Sequence, residues 1–171
     1  MKRVRSGRPQ PGEYADYAQA DIDFVTGDDA VEALESSREK TLALFSGNIA
    51  DRPYAPGKWT LKEILGHLVD DERIFAYRAL CVARGEPLAL PGFDEKLYVT
   101  NAGFEERRRD DLLAEYKTVR QSTIAFCSGL TEEQWMRRGI VNGYPASVRG
   151  LAFHIAGHEL HHLRIVRERY S

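Results

Sequence analysis

The residues best suited to chemistry lie near the end of the chain, in the stretch His158-Glu159-Leu160-His161-His162. This stretch satisfies the pattern H-E-x-x-H, which places two imidazoles four residues apart on one face of a helix. With about 100° between successive helical residues, His158 and His162 lie about 40° apart and one turn apart along the axis. Two imidazoles in this position can bind the same metal ion. The spacing therefore predicts half of a metal site.

The other half must come from upstream. A zinc protease with this pattern takes its third ligand downstream of the second histidine, but only nine residues follow His162. His67 is the candidate, because it lies on a predicted helix face that can meet a neighbouring helix. Asp71, one turn further along that face, would either orient the His67 ring or form a surface ion pair with Arg78. Three neutral imidazoles, from His67, His158 and His162, leave coordination positions open, as catalytic sites do.

The last predicted helix has an apolar seam in which histidines take two core positions. The two rows with a spacing of seven residues are Val148-Ile155-His162 and Leu151-His158-Ile165. A buried imidazole without a partner costs about 1–3 kcal/mol, so two adjacent ones make a poor core unless something satisfies them. A metal ion would do so. The alternative is that these histidines are core residues satisfied by ordinary hydrogen bonds.

Amphipathic spacing and capping residues predict four long helices that hold these side chains. They run over about 29–46, 60–84, 105–128 and 147–169. A short extra helix is expected over 131–136, and Asn142-Gly143 marks a tight turn. The long connection from Pro87 to Ala102 would cross the bundle or cover a site, with Leu90–Glu95 lining its entrance. The predicted fold class is all-α, a four-helix bundle with a short helix before the last one.

Composition restricts the remaining possibilities. The chain has 171 residues, of which 43% are hydrophobic, and this suffices for one domain over 28–171 behind a partly mobile N-terminal arm over 1–27. The first dozen residues of this arm are expected to form a solvated tail. A net charge of -2 argues against a nucleic-acid partner and favours a small-molecule substrate. Two cysteines outside any C-x-x-C spacing fit the cytoplasm, and no apolar run is long enough for a membrane span.

Several other side chains are weaker candidates. His154 and His161 share a register beside the seam, which makes them rim residues or supports of the ligands. Glu159 is a candidate general base, although its position off the seam favours a solvated or supporting carboxylate. Arg149 would meet an anionic substrate group or stay solvated. A di-iron site would need a second E-x-x-H motif, and the chain has one.

Two blocks of the chain resemble the DinB/YfiT-like superfamily of bacterial metal-binding four-helix bundles. They are Trp59-Thr60-Leu61-Lys62-Glu63-Ile64-Leu65-Gly66-His67-Leu68 and His154-Ile155-Ala156-Gly157-His158-Glu159-Leu160-His161-His162. The resemblance implies a divalent metal, nickel or zinc, held by His67, His158 and His162. Members often carry Gly-Gln after the last histidine, where this chain has Leu163-Arg164, so the role of that glutamine does not carry over.

The resemblance also implies a class of reaction. Relatives include S-transferases and isomerases that use low-molecular-weight thiols such as bacillithiol or mycothiol. The expected function is therefore transfer of such a thiol to an electrophilic small molecule. The alternatives are a hydrolase that uses metal-activated water and a non-catalytic protein that binds metal or a small ligand. A homodimer is compatible with the resemblance, although no motif in the sequence encodes it.

Overall fold

The structure, a computed structural model, describes residues 3–170 and confirms the predicted four-helix bundle. Residues 1 and 2 of the predicted arm and residue 171 of the predicted domain lie outside this range. The helices are α1 (Gln19–Ile22), α2 (Ala30–Phe45), α3 (Leu61–Ala83), α4 (Glu95–Ala102), α5 (Arg109–Ser128), α6 (Glu132–Met136) and α7 (Val148–Arg169), and the strands are β1 (Arg138–Val141) and β2 (Tyr144–Ser147). Among the described helices, none combines the length and apolar character that a membrane span requires.

The bundle consists of α2, α3, α5 and α7. The main contacts of α3 are with α5 and α7, and those of α2 are with the same two helices. Consecutive helices α2 and α3 are therefore diagonally opposite, and the segment between them crosses an end of the bundle. As a result α3 and α7, which carry the predicted metal ligands, lie side by side.

The two ligand-bearing helices begin at side chains that cap them. Thr60 accepts a hydrogen bond from the backbone N–H of Glu63, and the Glu63 carboxylate accepts one from the backbone N–H of Thr60. Ser147 accepts a hydrogen bond from the Gly150 N–H at the start of α7. These caps satisfy N–H groups that have no partner inside the helix, and so they fix where each helix starts.

The third long helix begins later than predicted, and a further helix precedes it. Residues Phe104–Glu106 form a 3₁₀ turn, and α5 starts at Arg109 rather than near residue 105. The connection predicted as a loop contains α4, whose N-cap Asp94 accepts hydrogen bonds from the backbone N–H groups of Lys96 and Leu97. The helix ends at Gly103, which has a φ of 66°. Capping by Asp94 and termination at glycine are signals that the sequence carried and the prediction missed.

A β-hairpin, also absent from the prediction, precedes the last helix. Val141 pairs with Tyr144 across the turn Asn142-Gly143, where both residues have positive φ, 52° and 81°. These angles are those of the two-residue turn that suits the twist of paired strands. Leu90 joins the hairpin through backbone hydrogen bonds with Ile140 and Asn142, so the connection before α4 is tied to the same edge.

The N-terminal segment, described from residue 3, packs against α7 rather than extending into solvent. Its apolar face is buried in the core, and its members are Tyr14, Ala18, Ile22 and Val25. Two glycines of α7 allow its backbone to come close: a Cβ on Gly150 would lie 2.2 Å from the carbonyl oxygen of Glu13, and one on Gly157 would lie 2.2 Å from that of Asp21. The predicted arm over 1–27 thus contains a segment that packs on the bundle, because the apolar face over residues 14–25 was overlooked. Its mobility and the domain boundary at residue 28 stay predictions.

Candidate metal centre

Three imidazoles converge between α3 and α7. His67 Nε2 lies 3.2 Å from His158 Nε2, and His162 Nε2 lies 3.1 Å from the same atom. One nitrogen from each of the three residues falls within 4.8 Å of the others. The structure therefore brings together the three residues predicted as ligands.

Burial keeps the imidazoles of His67 and His162 in the neutral form that binds metals, whereas at His158 burial lowers the pKa but Asp71 raises it, and the net shift is upward. His67 is 2% exposed, and burial lowers its pKa to about 4. Burial and the neighbouring His158 lower the pKa of His162 well below its ordinary value. Both rings are neutral near pH 7, and a neutral ring offers a lone pair to a cation.

Asp71 orients one ligand, although not the one predicted. Its Oδ2 lies 3.2 Å from His158 Nδ1, whereas the sequence predicted that Asp71 orients His67 or forms a surface ion pair with Arg78. Burial raises the pKa of Asp71. The charge interaction and the hydrogen bond with His158 lower it, and the net shift is downward. The carboxylate therefore accepts a hydrogen bond from His158 Nδ1–H, which leaves Nε2 free to face the cluster. Asp71 contacts His158 because it lies on the face of α3 that packs against α7.

Two further side chains border the cluster. The ring of Trp59 lies 4.9 Å from that of His67 and 6.3 Å from that of His162, measured between centroids. Glu95, at the start of α4, places Oε2 4.0 Å from His67 Nε2, and its side chain is 51% exposed. An aromatic ring thus covers one side, and a carboxylate accessible to solvent borders another.

A cleft of about 230 Å³ opens next to the cluster. Its walls come from five separate parts of the chain: the N-terminal segment, α3, the connection leading into α4, the hairpin turn and α7. The residues that line it are Tyr17, Asp21, Asp71, Phe75, Arg78, Phe93, Glu95, Asn142, His154 and His158. The prediction that Leu90–Glu95 lines the entrance agrees with this arrangement, since two of its residues face the cleft.

Of the two histidines predicted as rim or supporting residues, His154 lines the cleft and His161 does not. His154 stacks on Phe75 with 4.1 Å between ring centroids, and burial lowers its pKa to about 4. Its Nδ1 has no hydrogen-bond partner among residues 3–170. His161 Nδ1 lies 3.5 Å from Asp21 Oδ1 in a more exposed position. Neither belongs to the triad.

Arg149 does not reach the cleft. Its guanidinium donates hydrogen bonds to both carboxylate oxygens of Glu13, at 3.0 and 2.6 Å. Arg149 therefore anchors the N-terminal segment to α7 and is not available to a substrate. The prediction that it binds substrate or stays solvated missed this pairing, because the acidic partner lies far away in the sequence.

Glu159 lies in a buried ionic network rather than in solvent or at the metal centre. Arg120 pairs with both Glu72, through Nε at 2.8 Å, and Glu159, through Nη2 at 2.7 Å. The other Glu159 oxygen accepts hydrogen bonds from the hydroxyls of Thr41 and Tyr116. Burial raises the pKa of Glu159, but Arg120 and the hydroxyl hydrogen bonds together lower it, and the net shift is downward, so the group stays ionised.

This network removes Glu159 as a candidate general base. Its carboxylate oxygens are occupied by hydroxyls and by a guanidinium that is itself almost fully buried. A carboxylate held in this way cannot approach a substrate beside His158. The side chain of Glu159 points away from the seam, as its register predicted, but towards α2 and α5.

Sequence reasoning missed Arg78 as a site residue and mentioned Glu95 only as part of an entrance loop. Arg78 follows Asp71 by seven residues and so shares its helix face, a signal that could have placed it on the cleft wall. Glu95 follows the capping residue Asp94, and a capped helix there would have brought its carboxylate to a defined position.

Comparison with known proteins agrees with this geometry. The sequence profile of the DinB superfamily matches residues 33–166. Among solved structures, the chain is similar to YfiT from Bacillus subtilis, with a TM-score of 0.73 and 20% identity over 95% of this chain and 91% of that one. YfiT is described as a probable metal-dependent hydrolase with an unusual four-helix bundle topology. At this identity the similarity establishes the fold.

A comparison with curated proteins finds no match. The profile match covers well over half of the chain and includes all three clustered histidines, and the chain belongs to the DinB superfamily.

Proposed function

We propose that this protein is a divalent-metal-dependent enzyme that transfers a low-molecular-weight thiol to an electrophilic small molecule. The observation that carries the proposal is the convergence of three imidazole nitrogens within 4.8 Å beside an open cleft. A sealed structural site would have four protein ligands, whereas this cluster supplies three. The thiol chemistry rests on the resemblance to DinB-like transferases.

The residues present fit a divalent cation. His158 Nδ1 is held by Asp71, so the tautomer with Nε2 free is the one that faces the other two rings. His67, His158 and His162 would hold the ion, and imidazole donors suit zinc and nickel. When bound, the cation would supply a Lewis acid that lowers the pKa of a thiol or water.

The thiol of the proposed transfer must come from outside the chain. The residues lining the cleft include no cysteine, and no serine, threonine or lysine either. Cys127 is buried in the core, and burial raises the pKa of its thiol to about 12. Cys81 follows Asp71 by ten residues on α3, about 15 Å along the helix, and does not line the cleft. An external thiol or water molecule is therefore required.

Glu95 is placed to accept the proton that this nucleophile loses. Its carboxylate lies 4.0 Å from His67 Nε2, faces the cleft and has access to solvent, through which the proton can leave. The sulfur of the deprotonated thiol then bonds to the electrophilic carbon, and the leaving group departs with its electron pair. Asp71 and Trp59 keep the imidazoles in place during this step.

Hydrolysis is the second candidate, and the description of YfiT favours it. The same Glu95 carboxylate would accept a proton from water, and a small cleft open to solvent admits water as readily as a thiol. The cluster does not select between these nucleophiles. A protein that only binds metal would show neither activity.

The test measures metal content and turnover on the same protein. Purified protein is analysed for bound metals and then assayed with monochlorobimane plus cysteine, glutathione, bacillithiol or mycothiol, and with p-nitrophenyl acetate alone. Thiol-dependent turnover that is lost in His67→Ala together with the metal would support the transferase. Ester hydrolysis without thiol would favour the hydrolase. An occupied metal without turnover would favour a binding protein, and full occupancy in His67→Ala would refute the three-histidine site.

A further inference from the structure

Arg78 is a buried cation in the cleft wall without an anionic partner. Its residue is 4% exposed, and its guanidinium lies 4.7 Å from the ring centroid of Phe75 and 5.5 Å from that of Phe93. Nη2 donates a hydrogen bond of 2.7 Å to the carbonyl oxygen of Pro91. Within residues 3–170, no carboxylate lies within 4 Å of this guanidinium. A buried charge without a counterion is costly, so an arginine in this state is suited to a ligand that brings the anion.

The carboxylates that line the cleft make their nearest side-chain contacts with histidines. Asp71 Oδ2 lies 3.2 Å from His158 Nδ1, Asp21 Oδ1 lies 3.5 Å from His161 Nδ1, and Glu95 borders His67. Arg78 is the one arginine or lysine among the residues that line the cleft, and an anion is the group complementary to it. The planar guanidinium, held between two aromatic rings, keeps N–H donors that match a carboxylate or a phosphate.

The surface between the two ends of the cleft is apolar and aromatic. Asp71 and Arg78 are separated by seven residues of α3, about 10 Å along the axis. Phe75 lies between them, with the neutral ring of His154 stacked on it, and Tyr17 faces the same space.

From this arrangement we infer that Arg78 binds the anionic group of the substrate, and that the substrate is a small carboxylate or phosphate with an apolar, preferably aromatic, middle. This inference rests on the proposed function, because it names the substrate class of the same cleft. Phe75 and His154 would contact the apolar part, and the reacting end would face the histidine triad.

Matched probes test the inference by calorimetry on protein treated with a chelator. Phenylacetate and benzylphosphonate carry the anion, and phenylacetamide has a similar shape without the charge. A charge-assisted hydrogen bond predicts that the anions bind about tenfold to one-hundredfold more tightly than the amide. Arg78→Met, which keeps the apolar packing on Phe75 and Phe93, should abolish this preference and leave the affinity for the amide unchanged. Arg73→Met, at a half-exposed arginine on the same helix, should leave the preference intact.

Several outcomes would overturn the inference. Equal affinities of the wild-type protein for anions and amide would do so without any variant, even if Arg78→Met failed to fold. A preference that survives Arg78→Met, or that appears only in metal-loaded protein, would place the anion at the histidines instead. Because the probes are tested without metal, a preference that depends on Arg78 would stand even if metal analysis refuted the proposed function.

Discussion

His158 uses its two ring nitrogens for different purposes. Nδ1 faces Asp71, and Nε2 faces the other two histidines of the triad. The carboxylate would therefore act on a bound metal through the orientation and basicity of one ring, without being a ligand. Changes at Asp71 should affect metal affinity while leaving all three ligands present.

Asp71→Asn should weaken metal binding by about 10-fold to 100-fold, because the amide holds the His158 ring less firmly and makes it less basic. Titration against a competing chelator measures this affinity. Asp70→Asn is the matched control, since Asp70 is the adjacent acid and lies near Arg73 on the outer side of α3. Equal affinities of Asp71→Asn and wild-type protein would show that the contact is not used.

Glu95→Gln should lower turnover by about 100-fold to 10,000-fold, because the amide cannot accept a proton from the nucleophile. Metal content should not change, since Glu95 is outside the triad. Turnover is measured with the thiol-transfer and ester-hydrolysis assays of the proposed function, and the metal content of the variant is measured on the same sample. Glu105→Gln provides the control, because Glu105 is an exposed acid in the 3₁₀ turn that follows α4. Loss of metal in Glu95→Gln would instead make this carboxylate a ligand.

At the scale of elements, the N-terminal segment depends on two glycines of α7. At both positions the backbone of the segment packs so close to α7 that a Cβ atom would collide with it. Gly150 and Gly157 are seven residues apart, so they form one groove along the helix face. Tyr17 and Asp21, which belong to this segment, line the cleft only if the groove stays open.

Gly157→Ala should destabilise the protein by up to about 2 kcal/mol. Alanine favours the helix by about 1 kcal/mol, but its Cβ would lie 2.2 Å from the carbonyl oxygen of Asp21, and overpacking against backbone costs about 1–3 kcal/mol. Chemical denaturation measures the difference. Ala114→Gly at an exposed position of α5 measures the preference of a helix for alanine over glycine without any steric contact. A stabilised Gly157→Ala would mean that the segment moves aside at no cost.

The ion pair between Glu13 and Arg149 should make the attachment of this segment depend on pH. Burial raises the pKa of Glu13, but hydrogen bonds from Arg149 and from the Gln10 N–H lower it below its ordinary 4.5. A lowered folded-state pKa stabilises the protein above about pH 4.5, and this stabilisation is lost as the pH falls further. Glu13→Gln should therefore cost about 1–3 kcal/mol near neutral pH and progressively less in acid.

Denaturation of both proteins between pH 3 and pH 7 tests this expectation. Glu35→Gln at an exposed position of α2 controls for the general effect of removing a carboxylate. A difference between wild-type protein and Glu13→Gln that stays constant with pH would show that Glu13 does not titrate with unfolding.

For the whole molecule, one buried guanidinium connects all four bundle helices. Arg120 of α5 pairs with Glu72 of α3 and Glu159 of α7, and it donates to the Leu34 carbonyl and the Ser37 hydroxyl of α2. These contacts satisfy charges that would otherwise be too costly to bury. The network fixes the relative positions of helices that otherwise meet through apolar side chains, which tolerate sliding.

Arg120→Met should destabilise the protein by about 3–5 kcal/mol, because it leaves two buried carboxylates without their cation. Arg73→Met, which removes a surface ion pair with Glu115, should cost at most about 1 kcal/mol. Thermal and chemical denaturation of both variants provide the comparison. Similar costs for the two arginines would show that the network is dispensable for stability.

What could be predicted from sequence divides along physical lines. Helical spacing and capping are local, so the four helices and the shared face of His158 and His162 followed from the sequence. His67 followed as well, because an apolar seam indicates which face meets a neighbour. The roles of Arg149 and Glu159 could not be predicted, since their partners Glu13 and Arg120 lie far away in the sequence. Their partners become known only once the helices are placed.

The histidine triad and the outer walls of the cleft come from different parts of the chain. The histidine triad belongs to two bundle helices within residues 33–166, the region that matches the superfamily profile. Tyr17 and Asp21 come from the segment before this region, and Phe93 and Asn142 come from connections between helices. Substitutions, insertions or deletions in these parts would reshape the opening without disturbing the ligands. Within one lineage, new substrates could thus be acquired by exchanging the outer walls while an ancestral centre is inherited unchanged.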